Sequence, residues 1–121
     1  VTRFYLPRTR IPTIVYEVIR EIASRRGLSF GQAVEYALDN SDYYASVKNW
    51  FVSSGGDYSE DNFIPVYLRR STVGLDMLLA INAISVNRNL SYGAALVYAL
   101  ENPDEYRVAK EKISENIVPK F

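Results

Sequence analysis

Two hydrophobic spacings alternate along this chain, and the alternation occurs twice. In Ile64-Pro-Val-Tyr-Leu-Arg69 the apolar residues fall at every second position, as in a half-buried strand. Ile64, Val66 and Leu68 are expected to face inward, Tyr67 and Arg69 outward. An earlier stretch repeats the pattern, with Phe4 and Leu6 inward and Arg3, Tyr5 and Pro7 outward. Pro7 and Pro65 confine both strands to an edge or to a two-stranded ribbon, because proline has no N–H to give a ladder. After each strand the spacing changes to three and four. Ile11, Val15, Ile19 and Ile22 form one helical stripe, and Val73, Met77, Ile81 and Ile84 form another. Thr9 and Ser71 are the expected N-caps of these helices, with Pro12 in a first turn. Gly27 and Asn89 are the expected left-handed C-caps.

A second helix follows at once in each case, capped by Ser29 and by Ser91. Ser29 with Gln32 makes a capping box. The apolar faces are Ala33, Val34, Ala37 and Leu38, then Ala95, Leu96, Ala99 and Leu100. Third helices are expected after Ser41 and from Asn102-Pro103-Asp104-Glu105, where a cap, a first-turn proline and two acids suit a helix start. Trp50-Phe51-Val52 either packs or adds a strand. Residues 53–62 are a polar linker rich in turn formers.

The doubling is an internal repeat. Leu28–Tyr44 and Leu90–Tyr106 align without a gap and are identical at 10 of 17 positions. The same offset continues upstream, pairing Tyr5 with Tyr67, Leu6 with Leu68, Arg8 with Arg70, Ile19 with Ile81 and Arg26 with Arg88. The organisation read from this is a first repeat with an extra helix (1–52), a linker (53–62) and a second repeat with an extra helix (63–121). One strand and two helices bury too little and leave a strand edge open. Two such units solve both problems by pairing their strands antiparallel. The fold class is therefore mainly α with a short antiparallel β-ribbon.

Composition narrows the chemistry. Among 121 residues there is no histidine and no cysteine. That removes a disulfide framework, thiolate or imidazole metal ligands, and the nucleophile–histidine devices of hydrolases. No repeated acid pair or glycine-rich phosphate loop points to an enzyme, so no catalytic residue, cofactor or metal is expected. No stretch reaches the roughly 20 apolar residues of a membrane span. No basic start followed by an apolar run marks a signal peptide, which implies a cytoplasmic protein. The start at Val1 rather than Met suggests a short preceding piece.

The charged residues sum to zero, but not evenly. Residues 1–26 carry net +4, 27–62 net −5, 63–88 net +2 and 89–121 net −1. Strand and first helix are basic in both copies; the second helix, linker and tail are acidic.

The residues Gly27-Leu28-Ser29, Val34 and Ala37-Leu38-Asp39-Asn40, with Leu90-Ser91, Leu96 and Ala99-Leu100-Glu101-Asn102, resemble the ribbon-helix-helix superfamily of the Met repressor, Arc and CopG. The likeness covers residues 2–40 and 64–102. A tandem form on one chain is similar to regulators of archaeal viruses, which would place the protein in a host-cell cytoplasm. The first helix is about one turn longer than the family pattern, and the third helices and long linker are additions.

The resemblance implies two tandem repeats forming an intramolecular pseudo-dimer. It implies a transcriptional regulator, such as a repressor, that inserts its ribbon into the major groove of double-stranded DNA. Base readers by position would be Arg3, Tyr5, Tyr67 and Arg69. Arg8, Arg10 and Arg70, at the strand–helix junction, would contact phosphates, or bases if the register differs by one. Ser29, Phe30, Gly31 and Ser91, Tyr92, Gly93 would clamp phosphates at helix N-termini. Gly31 and Gly93 equally suit a close helix crossing, and shielding of the ribbon is the lesser alternative for Tyr5 and Tyr67. Arg20, Arg25 and Arg26 read as a solvated face. Self-association along DNA would use the extra helices. The alternative is a protein-interaction module, antitoxin-like or an assembly adaptor, using the tail Glu101–Phe121.

Overall fold

The computed structural model describes residues 3–54 and 64–117. Two stretches of chain cross antiparallel on one side of the molecule. The first half supplies β1 (Arg3–Tyr5) and β2 (Arg10–Pro12), the second half β3 (Pro65–Tyr67) and β4 (Thr72–Gly74). β1 pairs with β4 and β2 with β3. Arg3 lies opposite Gly74 and Tyr5 opposite Thr72. Arg10 lies opposite Tyr67 and Pro12 opposite Pro65. In both ladders the paired residue numbers add to 77. Between them, Leu6 N–H donates to the Ser71 carbonyl and Leu68 N–H to the Thr9 carbonyl, each at 2.9 Å, in the same register. The two ladders are the ends of one two-stranded ribbon.

The described residues form six helices, α1 (Thr13–Arg26), α2 (Phe30–Asp39), α3 (Ser41–Ser53), α4 (Leu75–Arg88), α5 (Tyr92–Glu101) and α6 (Pro103–Ile117), of which α1, α2, α4 and α5 pack against the ribbon. The protein is mainly helical with a small antiparallel ribbon. Every element of the second half starts at the position that the sequence offset assigns to its counterpart: Pro65 matches Arg3, Leu75 matches Thr13 and Tyr92 matches Phe30.

The strands reach further than the alternating pattern indicates, and the first helices start later. Thr9 and Ser71 are not N-caps. α1 and α4 begin after Pro12 and Gly74, neither of which supplies a side-chain cap. The two hydroxyls lie in the ribbon and bond across to the other half. Gly31 N–H donates to Ser71 Oγ at 2.7 Å and Gly93 N–H to Thr9 Oγ1 at 2.9 Å. The remaining ends follow local chemistry. Ser29 accepts from Gln32 N–H and the Gln32 side chain returns the bond, a capping box. Ser91 accepts from Ala94 N–H. Gly27 and Asn89 close the first helices with φ of 62° and 53°.

The apolar stripes meet in a single cluster drawn from both halves. Val15, Val18, Ile19 and Ile22 of α1 join Met77, Ala80, Ile81 and Ile84 of α4, with Ile11 and Val73 beneath the ribbon. The second helices add Val34, Leu38, Leu96 and Leu100. Each large apolar side chain contributes about 1.5–3 kcal/mol on burial. Phe4 and Ile64, expected inward, stay 37% and 53% exposed because they sit at the ends of the ribbon.

The third helices lie across the halves. α3 packs on α1, α2 and α5, and α6 on α4, α5 and α2. Trp50-Phe51-Val52 falls within α3 and forms no strand. Tyr44 and Tyr106 are buried at equivalent places in α3 and α6. One ion pair ties each third helix to the other half, Lys48–Glu101 at 4.0 Å for α3 and Lys110–Asp39 at 3.0 Å for α6. Exposed pairs of this kind contribute little, about 0.2–1 kcal/mol each. Most of linker 53–62 lies outside the described residues.

Each second helix leans on the opposite half's strand, α2 on β4 and α5 on β2. The approach is close enough that a Cβ on Gly31 would overlap the Thr72 carbonyl, and one on Gly93 the Arg10 carbonyl. Gly31→Ala and Gly93→Ala should each lower stability by about 1–3 kcal/mol through overpacking. Denaturant unfolding measures it, and wild-type midpoints in both variants would show that the ribbon does not rest on these helices.

Candidate functional site

The outer face of the ribbon collects guanidinium and phenol groups. β1 presents Tyr5 and β3 presents Tyr67, which are 59% and 45% exposed. The Arg8 and Arg10 guanidinium carbons lie 4.5 and 4.7 Å from the centre of the Tyr67 ring. Arg70 lies 4.5 Å from the centre of the Tyr5 ring. Stacking on an aromatic face holds a cation in place by quadrupole attraction, worth about 0.5–1 kcal/mol at exposed sites. Arg10 Nη2 also donates to Tyr67 Oη at 3.0 Å. That hydrogen bond, the Arg10 charge and the nearby Arg8 charge favour the phenolate and pull the Tyr67 hydroxyl below its ordinary range. A groove of about 440 Å³ runs between the tyrosines, with Arg69 and Arg70 on one wall and Pro7 and Arg8 on the other.

Arg8, Tyr67 and Arg10 sharing a face corrects the expected register. Tyr5 and Arg8 both point outward although they are three apart, so the strand changes face between them. Leu6 is buried on the near side of that switch, and Thr9 bonds inward to Gly93 on the far side. Arg8, Arg10 and Arg70 therefore lie on the ribbon itself, not at a strand–helix junction. Arg69 is exposed at the middle of the ribbon. Arg3 folds back, donating to the Thr72 carbonyl at 2.8 Å and to Glu35 at 3.1 Å. Glu35 in turn accepts from Gly74 N–H at 2.6 Å, at the start of α4.

The expected helix-terminus residues sit beside the ribbon. Ser29 and Ser91 are exposed, Gly31 and Gly93 are buried, Phe30 is buried and Tyr92 is half-buried. The Phe30 ring packs 5.1 Å from Tyr16. Tyr92 Oη donates to the Leu78 carbonyl at 3.4 Å. Burial raises the Tyr92 hydroxyl well above its ordinary range, as it does Tyr44 and Tyr106. The aromatic rings of Phe30 and Tyr92 are packing groups. Arg20 is exposed, as expected of a solvated face. It also lines a cleft of about 300 Å³ with Arg69 and Arg70 at the start of α2. The matching position in the second half is Asn82, so α1 holds a cation there that α4 lacks.

Among the described residues no carboxylate pairs with Arg8, Arg10, Arg69 or Arg70. Arg25 and Arg26 are engaged elsewhere, over Trp50 and over Tyr36 and Tyr43. The ribbon face thus offers cationic donors held by aromatic rings to an anionic partner. Among the described residues no cluster of three or more acidic side chains is placed to hold a metal ion. Among them too, no helix is long and apolar enough to cross a membrane.

Removing the Arg10 charge should return Tyr67 toward the usual tyrosine range. Titration of ring-labelled tyrosines by NMR should show the Tyr67 transition moving upward in Arg10→Gln, whereas Tyr44 and Tyr106 stay protonated until the fold opens. An unmoved Tyr67 transition would mean that the Arg10–Tyr67 bond does not form. Comparison with protein-family models, with curated proteins and with solved structures gives no match to this chain.

Proposed function

We propose that the chain is a sequence-specific regulator of transcription that binds double-stranded DNA through its ribbon, built as two ribbon-helix-helix repeats paired within one chain. One observation carries this reading. Arg8, Arg10, Arg69 and Arg70 lie on the outer face of a two-stranded ribbon without an acidic partner among the described residues, beside Tyr5 and Tyr67. A two-stranded ribbon fits the major groove, where guanidinium groups can bond guanine in a bidentate manner. The net negative charge of α2 and of the linker sequence limits non-specific attraction to DNA.

Within that reading the base-facing group is Tyr5, Arg10 and Tyr67, while Arg69, expected among the base readers, lines the cleft at the start of α2 with Arg20 and Arg70. Arg10 enters it because it lies opposite Tyr67 and is fixed by its bond to the phenol. Arg3 leaves it, since its guanidinium bonds Thr72 and Glu35. The corresponding outward residues differ between the halves, Pro7 against Arg69 and Arg10 against Thr72. The target is accordingly an asymmetric element rather than a perfect palindrome.

A second reading, a protein-interaction module on the same scaffold, draws on another surface. Val108 is 43% exposed and lines a cleft of about 550 Å³ between α4 and α6. Ile113 lines that cleft, while the rest of the proposed docking tail, from Asn116 on, lies outside the described side chains.

Selection of bound sequences from a random duplex pool, followed by mobility shift, separates the two. The DNA reading expects an enriched asymmetric sequence. In Arg10→Ala, affinity for it should fall by about 1–3 kcal/mol and preference at one base pair should relax. No enrichment at low salt would favour the interaction module.

A further inference from the structure

The first turn of α2 is already engaged within the fold. Gly31 N–H donates to Ser71 Oγ at 2.7 Å and Gln32 N–H to Ser29 Oγ at 3.2 Å. α5 is the same, with Gly93 N–H on Thr9 Oγ1 at 2.9 Å and Ala94 N–H on Ser91 Oγ at 3.1 Å. An anion arriving at either place therefore meets few open backbone donors and must be held by side chains.

The two places differ in the side chains they offer. The α2 side has a cleft of about 300 Å³ whose walls are Arg20 of α1 with Arg69 and Arg70 of the ribbon, and whose base includes Ser29, Phe30 and Ser71. Arg20 is also 3.6 Å from Glu17, but the pair is exposed and easily exchanged. Arg69 and Arg70 have no acidic partner among the described residues. The repeat assigns Asn82, Pro7 and Arg8 to the corresponding positions on the α5 side. One side thus lines its cleft with three arginines, the Arg70 guanidinium resting over Tyr5 at the ribbon edge; the matching positions hold one arginine.

We propose that the Arg20–Arg69–Arg70 cleft is a one-sided phosphate site, held by arginine rather than by the helix terminus, and that it fixes the direction in which the chain lies on duplex DNA. The inference rests on the DNA-binding reading and adds a residue and a polarity to it. Guanidinium groups suit phosphate because their planar donors match its oxygens in pairs. A half-site contacted through three such groups is gripped more tightly than one contacted through a single group, and reversing the chain exchanges the two.

The test uses the full chain and its selected duplex, with single phosphates replaced by neutral methylphosphonates on each half of the site. Neutralising one phosphate on one half should weaken binding more than neutralising its mirror-related partner. Arg20→Gln should lose about tenfold in affinity and lower the salt slope by about one. In Arg20→Gln the neutralised phosphate should no longer matter, which identifies the pair that interacts. Asn82→Arg should raise affinity and create sensitivity at the mirror phosphate. Equal sensitivity on both halves, with no coupling to Arg20, would overturn the one-sided site while leaving DNA binding intact. Failure to bind any duplex would overturn the DNA reading and this inference with it.

Discussion

The register of the ribbon constrains everything else in the molecule. Side chains alternate faces along a strand, so a fixed register decides which residues are outward. Here the paired numbers add to 77, whereas the repeat sets Tyr5 against Tyr67 and Arg10 against Thr72. Tyr5 therefore lies opposite Thr72, whose counterpart in the first strand is Arg10. Tyr5 is odd and Arg10 is even, so an unbroken alternation cannot put both on the outer face. The strands resolve the conflict by changing face at the centre. Regular pairing stops after Tyr5 and after Tyr67 and resumes at Arg10 and at Thr72. Pro7 and Arg8, and Arg69 and Arg70, are then exposed as adjacent residues. Four side chains gather where a regular ribbon would present two.

The same switch determines how the helices attach. Because the strand turns over, Thr9 and Ser71 point inward at the places where the second helices begin. Their hydroxyls take up the Gly93 and Gly31 N–H groups. A first-turn donor left without a partner in a half-buried place costs about 1–3 kcal/mol, so these bonds matter more than their number suggests. They require the helix backbone to come close to the opposite strand, which only a residue without a Cβ permits. Ribbon, hydroxyl and glycine form one linked arrangement, made twice between opposite halves. Neither half closes it alone.

Much of this was legible in the chain. The repeat, the three helices per half, the Ser29 capping box, the left-handed ends at Gly27 and Asn89, and the stripes of Val15, Ile19, Met77 and Ile81 all follow from local spacing. What was not legible depends on pairing between distant residues. Thr9 and Ser71 look like N-caps because a hydroxyl residue stands before an apolar helical run. Their bonds run instead to residues 84 and 40 positions away. Ile11 and Val73 fit a helical stripe as well as a strand, so spacing alone did not show that the ribbon continues to Pro12 and Gly74. The expected placement of Arg8 and Arg10 at a strand–helix junction followed from the same ambiguity. Arg3 is exposed as expected, but its bond to Glu35 was not legible, because Glu35 stands on another element and no local pattern links them.

Several core positions are identical in the two halves, and others, such as Val15 against Met77 and Val34 against Leu96, stay apolar with a different side chain. Ile19 and Ile81, Ala37 and Ala99, and Leu38 and Leu100 are identical core positions. Pro7 against Arg69, Arg20 against Asn82 and Glu35 against Val97 are not. Packing explains the first group, since a buried volume changed in one half must be matched in the other. The second group is at least partly exposed or makes polar bonds, as Glu35 does to Arg3 and the Gly74 N–H, so each half can vary separately. Two identical chains could not do this, because one substitution would appear on both sides of their axis. Under the ribbon-helix-helix reading, a single chain removes that restriction: the core can remain paired while the reading face acquires a direction. The zero net charge has the same origin. It is the sum of a basic ribbon with its first helices and acidic segments elsewhere, and only the distribution bears on what the ribbon can bind.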